Sequence, residues 1–323
     1  MARRKKNGAI PLPPRSGLGA SRVRLPDGDP VTAFDFIVRV IAEQRHRHPD
    51  DDDSAVLERF DSGEVVLRDG TALHPDQLVQ PGTDVFFYRR PAPEKPVPYD
   101  IETVYEDDTI LVVDKPPFLA TMPRAAHITE SATVRLRRAT GNEDLTPAHR
   151  LDRMTSGLLL LTKQRQHRGA YQELFAARQV RKRYEAIAED IGITAPTSWH
   201  HHIDKQHGEI ASTVIEGREP NALTHVLEAL RIDAPTMQSL HSVTFPLARY
   251  LLEPVTGRTH QLRVQMNEAG APILGDPVYP TVNHFGEEDF AVPMRLKSVY
   301  LGFRDPLTGA EREFGVPGFL EVS

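Results

Sequence analysis

Four consecutive leucines, Leu158 to Leu161, stand in "TSGLLLLTK" between a turn and a lysine. No polar residue alternates with them, so neither face of this segment is suited to water. It reads as a strand buried on both faces. No apolar run in the chain is longer, and it is far short of the roughly 20 residues a membrane-spanning helix needs. Charges crowd its entrance. In "PAHRLDRM" the carboxylate of Asp152 lies between Arg150 and Arg153, where a rigid strand fixes the loop that carries it.

The 323 residues suffice for a small domain plus a large one. Residues 1 to about 20 are basic, then Pro- and Gly-rich, and are expected to form a disordered tail. They contain no apolar core of the kind a secretory signal has. A small unit over residues 21–90 follows. Phe34, Ile37, Val38 and Ile41 repeat at helical spacing. "HRHPDDDD" reads as a solvated acidic loop, and "VLERFDSGEVVLRDG" as a short helix, a turn, a strand and a second turn. "PGTDVFFYRR" adds an alternating strand. "PAPEKPVPYD" carries four prolines in ten residues and marks a linker over residues 91–99.

Beyond it, from residue 100 to 323, the pattern is mixed. "TILVVDKPP", "GLLLLTK", "RKRYEAIAED" from about Tyr184, "ALTHVLEAL" and "SVTFPLARYLLEP" read as strands, and residues 164–179 as a helix with Tyr171, Leu174 and Phe175 inward. "TGRTHQLRVQMNEAGAP" fits both periods. Thr259 as N-cap, Gly270 and Pro272 as stop, and Leu262, Met266 and Ala269 at i, i+4 and i+7 favour a helix with Arg263 in its first turns. Strands and helices do not alternate regularly, so the fold class is α+β rather than doubly wound.

With no cysteine, disulfides, thiolate metal sites and a cysteine nucleophile are excluded. A cytoplasmic location is the simplest expectation, with no membrane partner. The net charge of −6 argues at first against a nucleic-acid partner. Binding follows local charge, however. From Arg124 to Arg183 there are thirteen cations and five acids, so the rest of the chain is strongly acidic. That split fits a basic face on an acidic body, or unrelated solvated helix faces.

Asp152 is the leading candidate for chemistry. A nearby cation would keep it ionised, and a charge pair at a core strand is a poor stabiliser. A structural salt bridge or loop cap is the plain alternative. Taken alone, Arg263 reads as a solvated helix arginine and Tyr184 as an ordinary strand aromatic. The run "RQVRKR" reads as a phosphate-contacting segment or a charged turn. His200, His201 and His202 are too crowded for a three-ligand zinc site and read as a surface loop. Zincin, nucleophile-elbow and P-loop patterns are absent. "PDDDD" lacks the glycine and closing glutamate of a calcium loop. No metal and no cofactor are expected.

Together these segments resemble one family. "HRLDRMTSGLLLL" resembles the catalytic motif of the RluA family of pseudouridine synthases. "VVDKPPFLATMP", "KRYEAIAE" and "TGRTHQLRVQMNEAGAPILGDPVY" are similar to its other motifs in the expected order, and "PNALTHVLEAL" to a shorter one, over roughly residues 100–310. Residues 21–90 resemble a diverged form of the small RNA-binding module of the ribosomal-protein S-four type. Its usual basic helix is poor in cations here, and the acidic loop interrupts it. "RVQM" has Gln265 where the family commonly has histidine.

The resemblance implies a mixed, mainly antiparallel sheet flanked by helices and loops around a central cleft. It implies isomerisation of uridine to pseudouridine in structured RNA after base flipping, with no metal or cofactor. By position, Asp152 is the catalytic aspartate, Tyr184 the active-site tyrosine that stacks on uracil, and Arg263 the salt-bridge partner of Asp152. Arg150 stands near the extruded nucleotide. His149, Arg181, Lys182, Arg183, Arg258 and His260 are expected to contact RNA. Ribosomal RNA is the first choice of substrate, transfer RNA the second, and a monomer is expected. The rival reading is a non-catalytic RNA-binding or ribosome-assembly factor. A sugar hydrolase is weaker, because it normally needs two carboxylates and no second one is placed beside Asp152.

Overall fold

The computed structural model describes residues 11–282 and 288–319, so the first ten residues of the expected tail lie outside the described residues. The chain divides into two units. The smaller, residues 11–96 and 123–143, begins with β1 (Ser21–Arg24), β2 (Val31–Thr32) and α1 (Ala33–Ala42). It continues with α2 (Asp53–Asp61), β3 (Val65–Leu67), β4 (Leu78–Val79), β5 (Asp84–Phe87) and α3 (Ala132–Thr140). Strands β1, β5 and β3 form one sheet in that order. The Thr32 hydroxyl caps α1 by accepting the Asp35 N–H at 3.1 Å. Ala33, Phe36, Ile37 and Ile41 are its buried residues, with Phe34 and Val38 partly buried beside them. From the tail, Leu12 is buried and Arg15 pairs with Glu64 at 2.7 Å. Helix α3 is tied to the same unit by Arg137 and Arg138, which donate to the carbonyls of Gly17 and Ser16.

The acidic loop is not wholly solvated. Asp51 is buried and pairs with Arg59 at 2.7 Å, and Asp52 caps α2 by accepting the Ala55 N–H at 3.0 Å. A helix start needs acceptors, and consecutive aspartates supply one there.

The larger unit comprises residues 97–122, 144–282 and 288–319. Its strands are β6 (Glu102–Glu106), β7 (Ile110–Lys115), β8 (Thr146–Pro147), β9 (Ser156–Thr162), β10 (Arg181–Glu189), β11 (Thr197–His201), β12 (Ile203–Asp204), β13 (Thr213–Val214), β14 (Ala222–Ile232), β15 (Leu247–Pro254), β16 (Leu296–Arg304) and β17 (Glu311–Gly315). Its helices are α4 (Arg168–Ala176), α5 (Pro235–Leu240) and α6 (Gln261–Glu268). Ten strands make one sheet in the order β11-β14-β15-β10-β16-β9-β7-β6, with β17 paired to β16 and β8 to β9. Among the described residues, the one parallel pairing within it joins β9 to β16. This is the mixed, mainly antiparallel α+β architecture the motifs implied.

The leucine run is the middle of β9, and all four leucines are fully buried. Leu158 and Leu160 pack with Tyr171 and Leu174 of α4 and with Phe303 and Phe314, so α4 covers that face. By strand alternation Leu159 and Leu161 fill the other. Burying a leucine contributes roughly 1.5–3 kcal/mol, so this strand is a rigid anchor. Gly157 opens the run at φ +106°, and any Cβ there would collide with the backbone of Ser298 on β16. The sharp turn into β9 and its parallel contact therefore both need glycine.

The histidines His200 and His201 lie in β11, an edge strand, not in a loop. They pair with Leu223 and Ala222 of β14. Among the described residues no helix is long and apolar enough to cross a membrane.

Candidate active site

A cleft of about 360 Å³ opens where the loop before β9, the start of β10, the end of β15 and the start of α6 converge. It falls in the size range of ligand pockets. Leu262, Leu296, Tyr184 and Pro254 give it apolar walls. Arg150, Arg178, Lys182, Arg258 and Arg263 line it with cations, and Asp152 stands among them.

The backbone on both sides of Asp152 is pinned. The Thr121 hydroxyl donates to the Leu151 carbonyl at 2.7 Å and accepts its N–H at 3.1 Å. On the other side, Lys115 Nζ lies within 3.4 Å of the Arg153 carbonyl. That ammonium is fully buried and also donates to the carbonyls of Pro116 and Leu119 at 2.8 and 2.9 Å. Burial pushes its pKa down to about 7, against the opposing pull of Asp152. The neighbours in sequence do not serve as the aspartate's partners. Arg153 turns away to Glu288 and the Phe118 carbonyl, and Arg150 is exposed at the rim.

Arg263 lies on α6, a helix whose residues Gln261 to Met266 are all buried. The helix begins at His260, φ +56°, rather than at the expected Thr259. Its entry is fixed by the Gln261 amide, whose oxygen accepts from the Thr256 hydroxyl and the Arg258 N–H, while its nitrogen donates to Leu223 and Thr224 on β14. Gln265, where histidine is common, also faces the sheet and not the cleft. It accepts from the Thr224 hydroxyl at 2.6 Å.

Arg263 does reach Asp152, Nη1 to Oδ2, at 3.5 Å. Its stronger partner is Asp276, held by Nε and Nη2 at 2.7 Å each. Asp276 also accepts the N–H groups of Val278 and Tyr279. The guanidinium fork is thus committed to a buried carboxylate, which fixes its plane and leaves one edge for Asp152. His260 Nε2 lies 3.9 Å from the same Asp152 oxygen. Tyr184 is buried on β10, and burial raises its phenol to about 12, with Asp152 adding to the effect.

The basic run is split by the strand's alternation. Lys182 and Tyr184 line the cleft. Arg181 and Arg183 instead share Glu253, at 2.9 and 3.0 Å. Of the three cations expected to contact RNA, Lys182 lines the cleft, while Arg181 and Arg183 lie outside its lining and are paired with Glu253. His149 also differs from a ring free to face RNA. It stacks on Phe175 at 4.3 Å between centroids, and its Nε2 accepts the Leu160 N–H at 3.1 Å. Burial pushes it down to about 3, so it brings a neutral ring to the cleft wall. Arg258 is exposed at the rim and donates to the Asn221 carbonyl at 3.3 Å.

Asp276, Lys115, Thr121 and Arg178 carry no signal of their own in the sequence. Asp276 sits in "ILGDPVY", Lys115 and Thr121 in "DKPPFLAT", and Arg178 in the basic run, so each lies inside a recognised segment without a sign of its role. Among the described residues, no group of three or more His, Asp or Glu side chains is arranged to hold a metal ion.

The family model described as RNA pseudouridylate synthase matches residues 109–268. The chain is 30% identical over 275 residues to the RNA pseudouridine synthase YlyB of Bacillus subtilis, covering 79% of this chain and 82% of that protein. It is 28% identical over 289 residues to the ribosomal large subunit pseudouridine synthase D of Neisseria meningitidis serogroup B, covering 83% and 72%. Among solved structures, human RNA pseudouridylate synthase domain containing 1 superposes with a TM-score of 0.53 at 24% identity, over 68% of this chain and 83% of that one. That likeness establishes the fold.

Proposed function

This chain belongs to the RNA pseudouridylate synthase family and is of the RluA type, an isomerase that acts on RNA, and on that premise we propose that it converts uridines of ribosomal RNA with Asp152 as the essential group. The observation that carries the site assignment is the carboxylate of Asp152 in the cleft lining, facing the one guanidinium edge that Asp276 leaves open.

The reaction breaks the ribose C1′–N1 bond, turns the uracil over, joins C5 to C1′ and removes the C5 proton. An ionised carboxylate can attack C1′ or take a proton from C2′. Arg263 favours the ionised form and fixes its direction. The Tyr184 ring offers a face on which the turning base can stack. A uridine within folded RNA is out of reach of a cleft this deep, so the base must be flipped out, at a cost of about a few kcal/mol. Arg150, exposed at the rim, is placed to occupy the vacated space. Arg178, Lys182 and Arg258 supply phosphate contacts.

The name of the Neisseria relative refers to the large ribosomal subunit, which favours ribosomal over transfer RNA here. Pseudouridine mapping in total RNA from cells with and without this protein tests the assignment. Loss of one or a few positions in ribosomal RNA is expected. Loss confined to transfer RNA would transfer the substrate there, and no lost position would reject a cellular role as isomerase.

A further inference from the structure

The C5 proton needs an acceptor, and the side chain best placed for it is one that sequence assigned only to RNA contact. We infer that His260, through an unprotonated Nε2, takes the C5 proton in the last step of the isomerisation. The inference rests on the proposed role of Asp152.

The hydrogen bonds around Tyr279 favour Nδ1 as the ring nitrogen that carries hydrogen. The Tyr279 hydroxyl accepts the Ser212 N–H at 2.8 Å and donates its single proton to the Ser212 carbonyl at 2.9 Å. His260 Nδ1 lies 3.2 Å from that same oxygen, whose proton is already committed. With the hydroxyl proton on the Ser212 carbonyl, the nearer acceptor, Nδ1 is assigned as the donor and the hydrogen of the neutral ring is placed there. Nε2 is left with its lone pair, and it faces the cleft 3.9 Å from Asp152 Oδ2. The ring is held in this pose by its edge contact with Tyr279 and by a left-handed backbone, φ +56°, of a kind that persists where the surroundings impose it.

Position follows from the reaction. When C5 has joined C1′, the carbon bearing the C5–H is one bond from C1′ and two from C2′, the two sugar centres at which Asp152 can act. A base beside Asp152 is thus beside that hydrogen. Loss of the proton to Nε2 lets the C5–H electron pair form C5=C6. The C6=N1 pair moves onto N1, which takes a proton from solvent, and the product is an isomer of the substrate. The C5–H lies next to the C4 carbonyl and its loss restores the conjugated ring, so a weak base suffices. The imidazolium formed is stabilised by the Asp152 carboxylate.

The state of each candidate base agrees. Burial keeps the His260 imidazole neutral, with its pKa lowered to about 4; Asp152 and Asp276 oppose that shift, and Arg263 and Lys205 add to it. Tyr184, the other candidate, holds its proton far above neutral pH.

The test uses the full chain in single turnover on total RNA from cells lacking it, grown on uracil carrying hydrogen or deuterium at C5. The parent is expected to convert both RNAs at the same rate. His260→Gln should be slowed at least about 100-fold, and the deuterated RNA should now react more slowly than the other. Tyr279→Phe, which removes the acceptor for Nδ1, should show the same isotope effect with a smaller loss. If His260→Gln keeps the parent's rate, or is slow without an isotope effect while melting normally, the inference is overturned. It is overturned equally if the isotope effect appears in Tyr184→Phe and not in His260→Gln. A parent that forms no pseudouridine would instead reject the function on which the inference rests.

Discussion

Arg263 and Asp276 form a buried, two-pronged ion pair, with both hydrogen bonds at 2.7 Å and both side chains nearly inaccessible to solvent. The pair sets the direction of the guanidinium edge that meets Asp152. Asp276→Asn leaves a buried arginine without its counter-charge, and breaking such a pair costs about 3 kcal/mol or more. Urea unfolding should register that loss. Isomerisation should fall by about 10- to 100-fold, since Arg263 is then free to shift toward Asp152.

Asp152→Asn separates chemistry from stability. The carboxylate is partly exposed, and its closest ion contact is 3.5 Å. Its removal should change unfolding free energy by no more than about 1 kcal/mol. Pseudouridine formation, measured by release of the C5 hydrogen, should fall by at least about 100-fold. A protein that unfolds without this carboxylate, or works without it, would refute the assignment.

Lys182 and Arg181 are adjacent in sequence but face different ways. Lys182→Ala should weaken RNA binding and lower the slope of log affinity against log salt by about 1. Arg181→Ala should leave the slope nearly unchanged, because Arg181 is paired with Glu253 outside the cleft. Equal effects in a filter-binding salt titration would contradict the split.

His149 should make the fold acid-sensitive. Its folded pKa is lowered to about 3 by burial, below that of a free histidine. Between those values the unfolded chain binds the extra proton and the folded one does not. Stability is therefore complete above about pH 6.5 and falls as pH drops toward 3, by at most about 1.4 kcal/mol per unit. His149→Gln keeps an acceptor for the Leu160 N–H and removes the titration. Its stability measured from pH 7 to pH 4 should decline less steeply than the parent's.

As candidates, Asp152, Tyr184 and Arg263 are legible in the sequence because each sits in a motif whose residue types and order are specific, and the structure brings all three to one cleft. The leucine strand is legible because an apolar run without alternation has no other place than a core. That Asp276 takes most of Arg263 is not legible, since the pair forms only when α6 and the loop after it fold back together. The fates of Arg181, Lys182 and Arg183 are equally hidden. Composition counts three cations, but strand alternation sends one into the cleft and two to Glu253. Nor does sequence assign a hydrogen to one nitrogen of His260. That depends on Tyr279 and Ser212, 19 and 67 residues from their partners.

Sequence alone thus determined the family and the α+β class and singled out Asp152 as the candidate aspartate, because periodicity and local motifs depend on neighbours along the chain. Tertiary structure alone decided which charges face each other, which are buried and which groups surround His260. Those properties depend on distance and desolvation, and a linear order of residues contains neither.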